Sequence, residues 1–369
     1  MNSPRGFLIL GLAASLAGAG WAMPRAARGS FAGQGAAQGA SRGTDQAPSL
    51  KNPDTQGRIH TTVSLVVVPV TVKTHSGELV NDLSQNDFRI FEDGIEQPIA
   101  DFSAEAYPLS AAILVDDDLK RSTADRVQKS LETLAGGFSA SDEVSLWRFD
   151  DVPEQVSEDF ILDNDALLTQ LKRIDLSSSF PGVGSAPMTS GPVVNTSPLP
   201  GPLPVSSMAA GHPNNKHIND AIYAAAEELR ARAPERRKII FLISDGQNAK
   251  NNTHSYGETL KLLLSQEISV YAVGVGEANY NRGITFLGNN ILAKYAHSTG
   301  GDIFYAQGRE DLEALYARVS EQARNQYTIA YSASKTDRSR PYHAVEVRVK
   351  RPGLILLARD GYYLGDNPE

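Results

Sequence analysis

The chain contains no cysteine among its 369 residues. This absence excludes disulfide bonds, thiolate metal sites, cysteine nucleophiles and a lipidated cysteine anchor. Positive charge is also scarce, because the formal net charge is −8 at pH 7. Nucleic-acid backbones are bound by basic patches, so this charge balance argues against nucleic acid as the main partner.

Long apolar runs are confined to the beginning of the chain. The first residues, MNSPRGFLILGLAASLAGAGWAMP, combine one arginine, an apolar run and a tail of small residues. This pattern predicts a signal peptide over residues 1–22, cleaved near Ala19 or Ala22, with an uncleaved anchor as the alternative. After cleavage we expect no transmembrane span and an exported protein, located in the periplasm, at the cell surface or in the medium.

Composition predicts how the remaining chain is divided. Residues 23–58 are rich in Gly, Ala, Ser, Gln and Arg, which is typical of a flexible linker. Residues 59–107 carry short β-rich stretches around the hairpin dipeptide Asp93-Gly94. Residues 326–365 carry similar stretches, so we expect them to complete one small β-sandwich with the N-terminal strands.

Residues 108–325 alternate between strand-like and helix-like patterns. Strands such as KIIFLIS are apolar almost throughout, as expected when helices cover both faces of a sheet. The repeated βα units predict an α/β fold with a doubly wound, mostly parallel sheet. Residues 177–215 interrupt the alternation with Pro, Gly and Ser, which is typical of a binding loop or of local disorder.

Acidic residues follow two of the predicted strands. AAILV is followed by Asp116, Asp117 and Asp118, and KIIFLIS is followed by Asp245. Each aspartate taken singly also has a structural explanation, Asp118 as a helix cap and Asp245 as a turn residue before glycine. Parallel strands would bring these carboxylates to one edge, where ligands of such sheets bind. Clustered carboxylates repel one another unless a cation lies among them, and oxygen ligands suit magnesium or calcium.

At this point the sequence resembles a known family. Asp116-x-Asp118, N-D-A-I-Y (Asn219 to Tyr223), LISDG (Leu242 to Gly246) and VYAVGVG (Val270 to Gly276) resemble a von Willebrand factor A domain. The flanks SGELVNDLSQNDFRIFEDGIEQPIADF and GLILLARDGYY are similar to those of bacterial VWFA-related exported proteins. The resemblance covers roughly residues 60 to 363 and implies a protein-interaction module.

The resemblance also implies a metal-ion-dependent adhesion site, with the pattern Asp-x-Ser-x-Ser, a threonine before a later helix, and a final aspartate. Asp116 matches the first aspartate of this pattern and Asp245 the last. Asp118 stands in the place of the first serine and Lys120 in the place of the second. The threonine position falls near Lys216, and His217 and Thr196 compete for it because the preceding loop is irregular.

Two lysines carry the same formal charge as one divalent ion, and a protonated lysine cannot ligate a metal. We therefore hypothesise a degenerate site in which Lys120 and Lys216 occupy the cation position and neutralise Asp116, Asp118 and Asp245. In the alternative, both lysines point into solvent and the three aspartates hold a cation. We expect no cofactor, with magnesium or calcium at low occupancy as the alternative.

These observations predict an exported, non-enzymatic, adhesion-type module that binds an unidentified protein partner at the strand-end face. The alternatives are an adhesion module that depends on magnesium or calcium, a structural scaffold of the cell envelope, and a metal-assisted hydrolase. The sequence offers the hydrolase neither a nucleophile nor a convincing general base. The predicted partner-binding residues are Asp116, Asp118, Lys120, Lys216, His217, Asp245 and Gln247.

Overall fold

The computed structural model describes residues 65–176, 216–278, 290–306, 308–333 and 340–364. The predicted signal peptide (1–22), the linker (23–58) and the loop 177–215 lie outside these ranges, so they stay predictions.

The described chain forms fourteen strands, six α-helices and two 3-10 helices, Gln85–Asp87 and Leu131–Gly137. The strands are β1 (Leu65–Thr74), β2 (Phe88–Glu92), β3 (Ile95–Gln97), β4 (Ile99–Ser103), β5 (Leu109–Asp116), β6 (Glu143–Phe149), β7 (Pro153–Gln155), β8 (Arg237–Ser244), β9 (Ile268–Gly274), β10 (Ile303–Tyr305), β11 (Tyr327–Ser332), β12 (Tyr342–Val349), β13 (Leu354–Ala358) and β14 (Gly361–Tyr363). The helices are α1 (Arg121–Ser130), α2 (Asn164–Leu171), α3 (Ile218–Arg230), α4 (Tyr256–Ser265), α5 (Ile291–Ser298) and α6 (Arg309–Arg324).

The central sheet has six strands in the order β10-β9-β8-β5-β6-β7. Its strands are parallel, except that β7 runs antiparallel to β6. All eight residues of β5 are buried, which agrees with its apolar sequence, LSAAILVD. Separate hydrophobic clusters cover the two faces, and the second includes one face of α3 at Ile222, Ala225 and Leu229. The doubly wound α/β prediction is confirmed.

The strands near the two ends of the described chain pair with one another, as predicted. One four-stranded sheet has the order β13-β1-β11-β4 and another has the order β14-β12-β2-β3. Both are antiparallel. A third hydrophobic cluster joins them, with Val68, Ile90 and Ile329 fully buried. The C-terminal strands therefore complete a β-sandwich with the N-terminal ones.

The sequence VSEDFIL at residues 156–162 predicts a strand, and this prediction is wrong. The short strand β7 ends before it, and residue Ile161 forms only an isolated bridge with Val144. The Ser157 hydroxyl accepts a hydrogen bond from the Leu146 amide at 3.0 Å. This side-chain bond replaces a ladder bond from a neighbouring strand, which is a common way for serine to end regular pairing.

None of the helices in the described ranges is both long enough and apolar enough to cross a membrane.

Candidate functional site

The predicted aspartates meet at the carboxyl ends of two neighbouring parallel strands. Asp116 is the last residue of β5, and Asp245 follows the last residue of β8, its partner in the sheet. Asp116 is fully buried and Asp245 is 4% exposed. Gly246 has a φ of 77°, a left-handed conformation that glycine adopts without steric cost, so the chain turns directly after Asp245.

Lys216 reaches this edge because loops from two strands hold its backbone. The Ala249 amide, after β8, donates to the Lys216 carbonyl at 2.8 Å, and the His217 amide donates to the Asp150 carbonyl, after β6, at 2.7 Å. The first amide of α3, that of Ile218, donates to the Asn248 side chain at 3.0 Å. Lys216 is therefore fixed two residues before the start of α3, with its side chain directed at the aspartates.

The Lys216 ammonium lies between the two buried carboxylates. Its Nζ is 2.8 Å from Asp245 Oδ2 and 3.4 Å from Asp116 Oδ2. The Lys216 side chain is only 2% exposed. The structure thus brings together three of the predicted site residues in one buried ionic cluster.

Asp116 is also held by neutral donors. Its Oδ2 accepts a bond from the Ser244 hydroxyl at 2.7 Å and a longer one from the Asp245 amide at 3.4 Å. Its Oδ1 accepts from the Asp118 amide at 3.1 Å. Asp118 therefore fixes Asp116 through its backbone. Its own half-buried carboxylate also raises the pKa of Lys216, though less than the two buried aspartates do.

Lys120 does not join this cluster, which corrects the prediction of two central lysines. Its side chain is 71% exposed and forms an ion pair with Glu277. Lys120 directly precedes α1, and its long side chain extends outward from a mostly buried loop. One ammonium, not two, therefore lies between Asp116 and Asp245.

Sequence reasoning missed Glu277, which links the outer and inner parts of the face. Gln247 donates through Nε2 to Glu277 Oε2 at 2.6 Å and to Asp245 Oδ2 at 3.4 Å. The polar contacts therefore run from the exposed Lys120 through Glu277 and Gln247 to the buried Asp245. Glu277 follows β9, the strand beside β8, so extending the strand-end search by one strand would have found it.

His217 lies beside the cluster rather than within it. Its Nδ1 is 3.7 Å from Asp220 Oδ2 in the first turn of α3. Its Nε2 has no hydrogen-bond partner in the part of the chain that the structure describes. The other competitor for this position, Thr196, lies outside the described residues.

The cluster holds more negative than positive charge. Burial raises the pKa of Asp116 to about 7, with a further rise from Asp245 and an opposing effect from Lys216. Burial disfavours the charged form of Lys216, but the two aspartates outweigh it and raise the pKa of the ammonium. A single ammonium does not balance two buried carboxylates, so Asp116 retains a proton more readily than an exposed aspartate does.

This imbalance predicts a pH dependence of stability. Because the pKa of Asp116 is higher in the folded chain than its usual 3.8, its contribution is present at low pH and lost as pH rises through about 7. Between pH 6 and pH 8 we expect the free energy of unfolding to fall by about 1 kcal/mol more in the native protein than in Asp116→Asn. Urea denaturation at both pH values measures this difference. An equal change in the free energy of unfolding in the two proteins would contradict the prediction.

The residues at this edge do not fit a divalent cation. An ammonium group has no lone pair to offer a metal, and Lys216 Nζ stands where an ion would have to contact both aspartates. Within the described ranges, no three or more His, Cys, Asp or Glu side chains are arranged to hold a metal ion. The donor set is that of an ion pair rather than of a magnesium or calcium site.

The chain matches several solved structures at low sequence identity. The von Willebrand factor type A protein from Catenulispora acidiphila is 9% identical, with 77% of this chain and 76% of that chain covered and a TM-score of 0.42. BatB from Bacteroides thetaiotaomicron is 14% identical over 58% of this chain and 98% of that chain, with a TM-score of 0.39. Proximal thread matrix protein 1 from the mussel byssus is 12% identical over 60% of this chain, with a TM-score of 0.39, and the match spans 49% of the mussel protein.

No curated protein sequence matches the chain significantly. The family model for the von Willebrand factor type A domain matches residues 205–315. This segment includes Lys216, α3, β8, Asp245 and β9, which together build most of the strand-end edge. Residues 205–315 therefore match the von Willebrand factor type A domain family.

Proposed function

We propose that the protein is an exported, non-enzymatic protein-interaction module that binds a protein partner at the strand-end face without a metal ion. The von Willebrand factor type A domain supports an interaction role. The observation that carries the metal-free mechanism is the position of Lys216 Nζ, 2.8 Å from Asp245 and 3.4 Å from Asp116.

The buried position of Lys216 changes what a partner can contact. A bound metal would recruit an acidic side chain of the partner by offering an open ligand position. The Lys216 ammonium is instead directed at two aspartates and is 2% exposed, so a partner carboxylate does not reach it. In this proposal the buried cluster fixes the shape of the face, and outer groups make the contacts.

The outer groups form an exposed polar layer. Lys120 and Glu277 are 71% and 36% exposed, and Gln247 is half-buried beneath Glu277. Exposed charge pairs contribute little to stability, but their charges steer association and select partners. We propose that Lys120 and Glu277 contact complementary charges on the partner.

The same burial supports a non-enzymatic role. A hydrolase built on the aspartates would need its reacting groups to touch the substrate. Asp116, Lys216 and Asp245 are each less than 5% exposed and are bonded to one another. Export rests on the predicted signal peptide at residues 1–22, and N-terminal sequencing of the mature protein tests it.

The proposed function predicts that binding of the partner is unaffected by chelators but depends on the surface charge of the strand-end face. Purified, tagged protein is incubated with cell-envelope extract, with and without EDTA, and captured proteins are quantified by mass spectrometry. We expect a partner whose capture is unchanged by EDTA and falls about tenfold with Lys120→Glu, because like charges across an interface repel.

The matched control is Lys129→Glu, an equally charge-reversing change at an exposed position in the last turn of α1. Capture of the partner by this variant should equal that of the native protein. Loss of the partner in EDTA, or equal capture by the two charge variants, would contradict the proposed function.

A further inference from the structure

A separate cavity lies at the opposite end of the central sheet. It has a volume of about 260 Å³ and opens where β8 and β9 begin, beside strands β1 and β11 of the sandwich. The strand-end face described above lies at the carboxyl ends of β8 and β9. The cavity is therefore independent of the ionic cluster around Lys216.

The walls of the cavity combine apolar surface with a basic segment. The apolar lining residues are Leu65, Val67, Pro69, Tyr107, Pro234, Ile239 and Ala330. The basic segment is Arg236, Arg237 and Lys238, at the beginning of β8. Asp101 and Glu267 also line the cavity. The cavity therefore suits an amphipathic ligand better than a purely polar one.

Arg237 is the most buried of the basic residues, at 9% exposure. Its Nη1 donates to the Gln326 side chain at 2.8 Å, and its Nη2 donates to the Gln326 carbonyl at 2.7 Å and to Thr328 at 3.1 Å. Its Nε has no acceptor among the described residues. The guanidinium is thus held in place by neutral groups, and the exposed part of the Arg237 side chain borders the cavity.

Among the described residues, Arg237 has no carboxylate that balances its charge. Three cationic side chains are buried in the ranges that the structure describes: Lys216, Arg237 and Arg359. Lys216 has two aspartates, and Arg359 has Glu267 at 3.4 Å. For Arg237, no carboxylate of the described residues lies within 4.0 Å. Burial lowers the pKa of Arg237 to about 10, as expected for a cation without an anionic neighbour.

Buried charges are normally paired, since an unpaired one is strongly destabilising. A cavity beside such a charge allows an anion from outside to supply the missing partner. We propose that this cavity binds a small organic monocarboxylate, with Arg237 as the partner of the carboxylate and the apolar wall in contact with a short aliphatic chain.

The charge of the cavity restricts the ligand. A short aliphatic monocarboxylate such as hexanoate offers a carboxylate to Arg237 and a chain to the apolar wall. Asp101 and Glu267 on the same walls would repel a second negative charge. A ligand with one anionic group therefore fits better than a phosphate ester with two.

Isothermal titration of the mature chain with hexanoate tests this site, with hexylammonium as the probe of opposite charge and equal chain length. We expect hexanoate to bind and hexylammonium not to bind. Arg237→Gln should weaken hexanoate binding by about tenfold to a hundredfold, the range for loss of a charged hydrogen bond. Equal binding of the two probes, or unchanged hexanoate affinity in a folded Arg237→Gln, would overturn the proposal.

A second pair of variants keeps the test decisive if Arg237→Gln does not fold. Leu65 lines the cavity and is 51% exposed, whereas Leu162 is 65% exposed and does not line it. Leu65→Asp should weaken hexanoate binding about tenfold, because a carboxylate at the cavity repels the ligand, and Leu162→Asp should leave it unchanged. Equal hexanoate affinity in these two variants would also overturn the proposal.

Discussion

Replacing Lys216 with methionine is expected to lower the free energy of unfolding by about 3 to 5 kcal/mol. The variant removes the only ammonium within reach of Asp116 and Asp245 among the described residues and leaves two buried carboxylates facing each other. Methionine has nearly the same length as lysine, so the loss reports charge more than packing. Urea denaturation at pH 8, above the raised pKa of Asp116 in the native protein, measures the difference.

Lys120→Met is the matched control for this change. Lys120 carries the same charge on the same edge of the sheet, but it is 71% exposed. We expect its loss to change the free energy of unfolding by less than about 1 kcal/mol. Equal destabilisation by the two methionine variants would show that the buried position of Lys216 has no special role.

A compensating substitution tests whether the destabilisation by Lys216→Met is electrostatic. Adding Asp245→Asn to Lys216→Met removes one of the two unbalanced charges, so part of the lost stability should return. Residues in direct contact are not additive, and the coupling between these two positions is expected to exceed about 1 kcal/mol.

The second large effect is a gain of cation binding. The double variant Lys120→Ser, Lys216→Thr places hydroxyls where the family pattern has them and removes the ammonium between the aspartates. We expect it to bind manganese or magnesium, and at a hundred times its dissociation constant the ion should stabilise the fold by about 2.7 kcal/mol. Calorimetric titration and thermal unfolding with each ion measure the two effects.

The single variants separate the roles of the two lysines. Lys120→Ser alone should not bind the ion, because Lys216 still lies between Asp116 and Asp245. Lys216→Thr alone should bind it, with an affinity close to that of the double variant. Binding gained by Lys120→Ser alone would contradict the assignment of Lys216 as the central cation.

The strand-end aspartates were predictable because backbone periodicity determines where they lie. An apolar run that ends in a carboxylate places that carboxylate at the edge of a parallel sheet, and two neighbouring runs place Asp116 and Asp245 together. The terminal β-sandwich was predictable for a similar reason, since unpaired apolar strands at both ends of the chain need each other to bury their inner faces.

The lysines were harder to place because their side chains are long and flexible. Lys120 and Lys216 occupy comparable positions, each just before a helix, yet only Lys216 is enclosed. The difference arises from backbone bonds that Lys216 and His217 make with the loops after β8 and β6. Those contacts join residues that are far apart in the sequence, so no local sequence pattern predicts them.

Because only Lys216 is enclosed, only one lysine charge lies between Asp116 and Asp245. Two lysines would have matched the charge of one divalent ion. The remaining imbalance falls on Asp116, whose pKa rises to about 7. The Lys216 ammonium and the proton that Asp116 readily retains thus have the electrostatic role that we predicted for two lysines.

The most direct test of the central claim is an anomalous diffraction measurement on crystals of the unmodified protein grown with manganese. We expect no manganese peak between Asp116 and Asp245, and electron density for Lys216 Nζ in contact with both carboxylates. A manganese peak bonded to the two aspartates, with the Lys216 side chain displaced from them, would contradict the claim that an ammonium group replaces the ion.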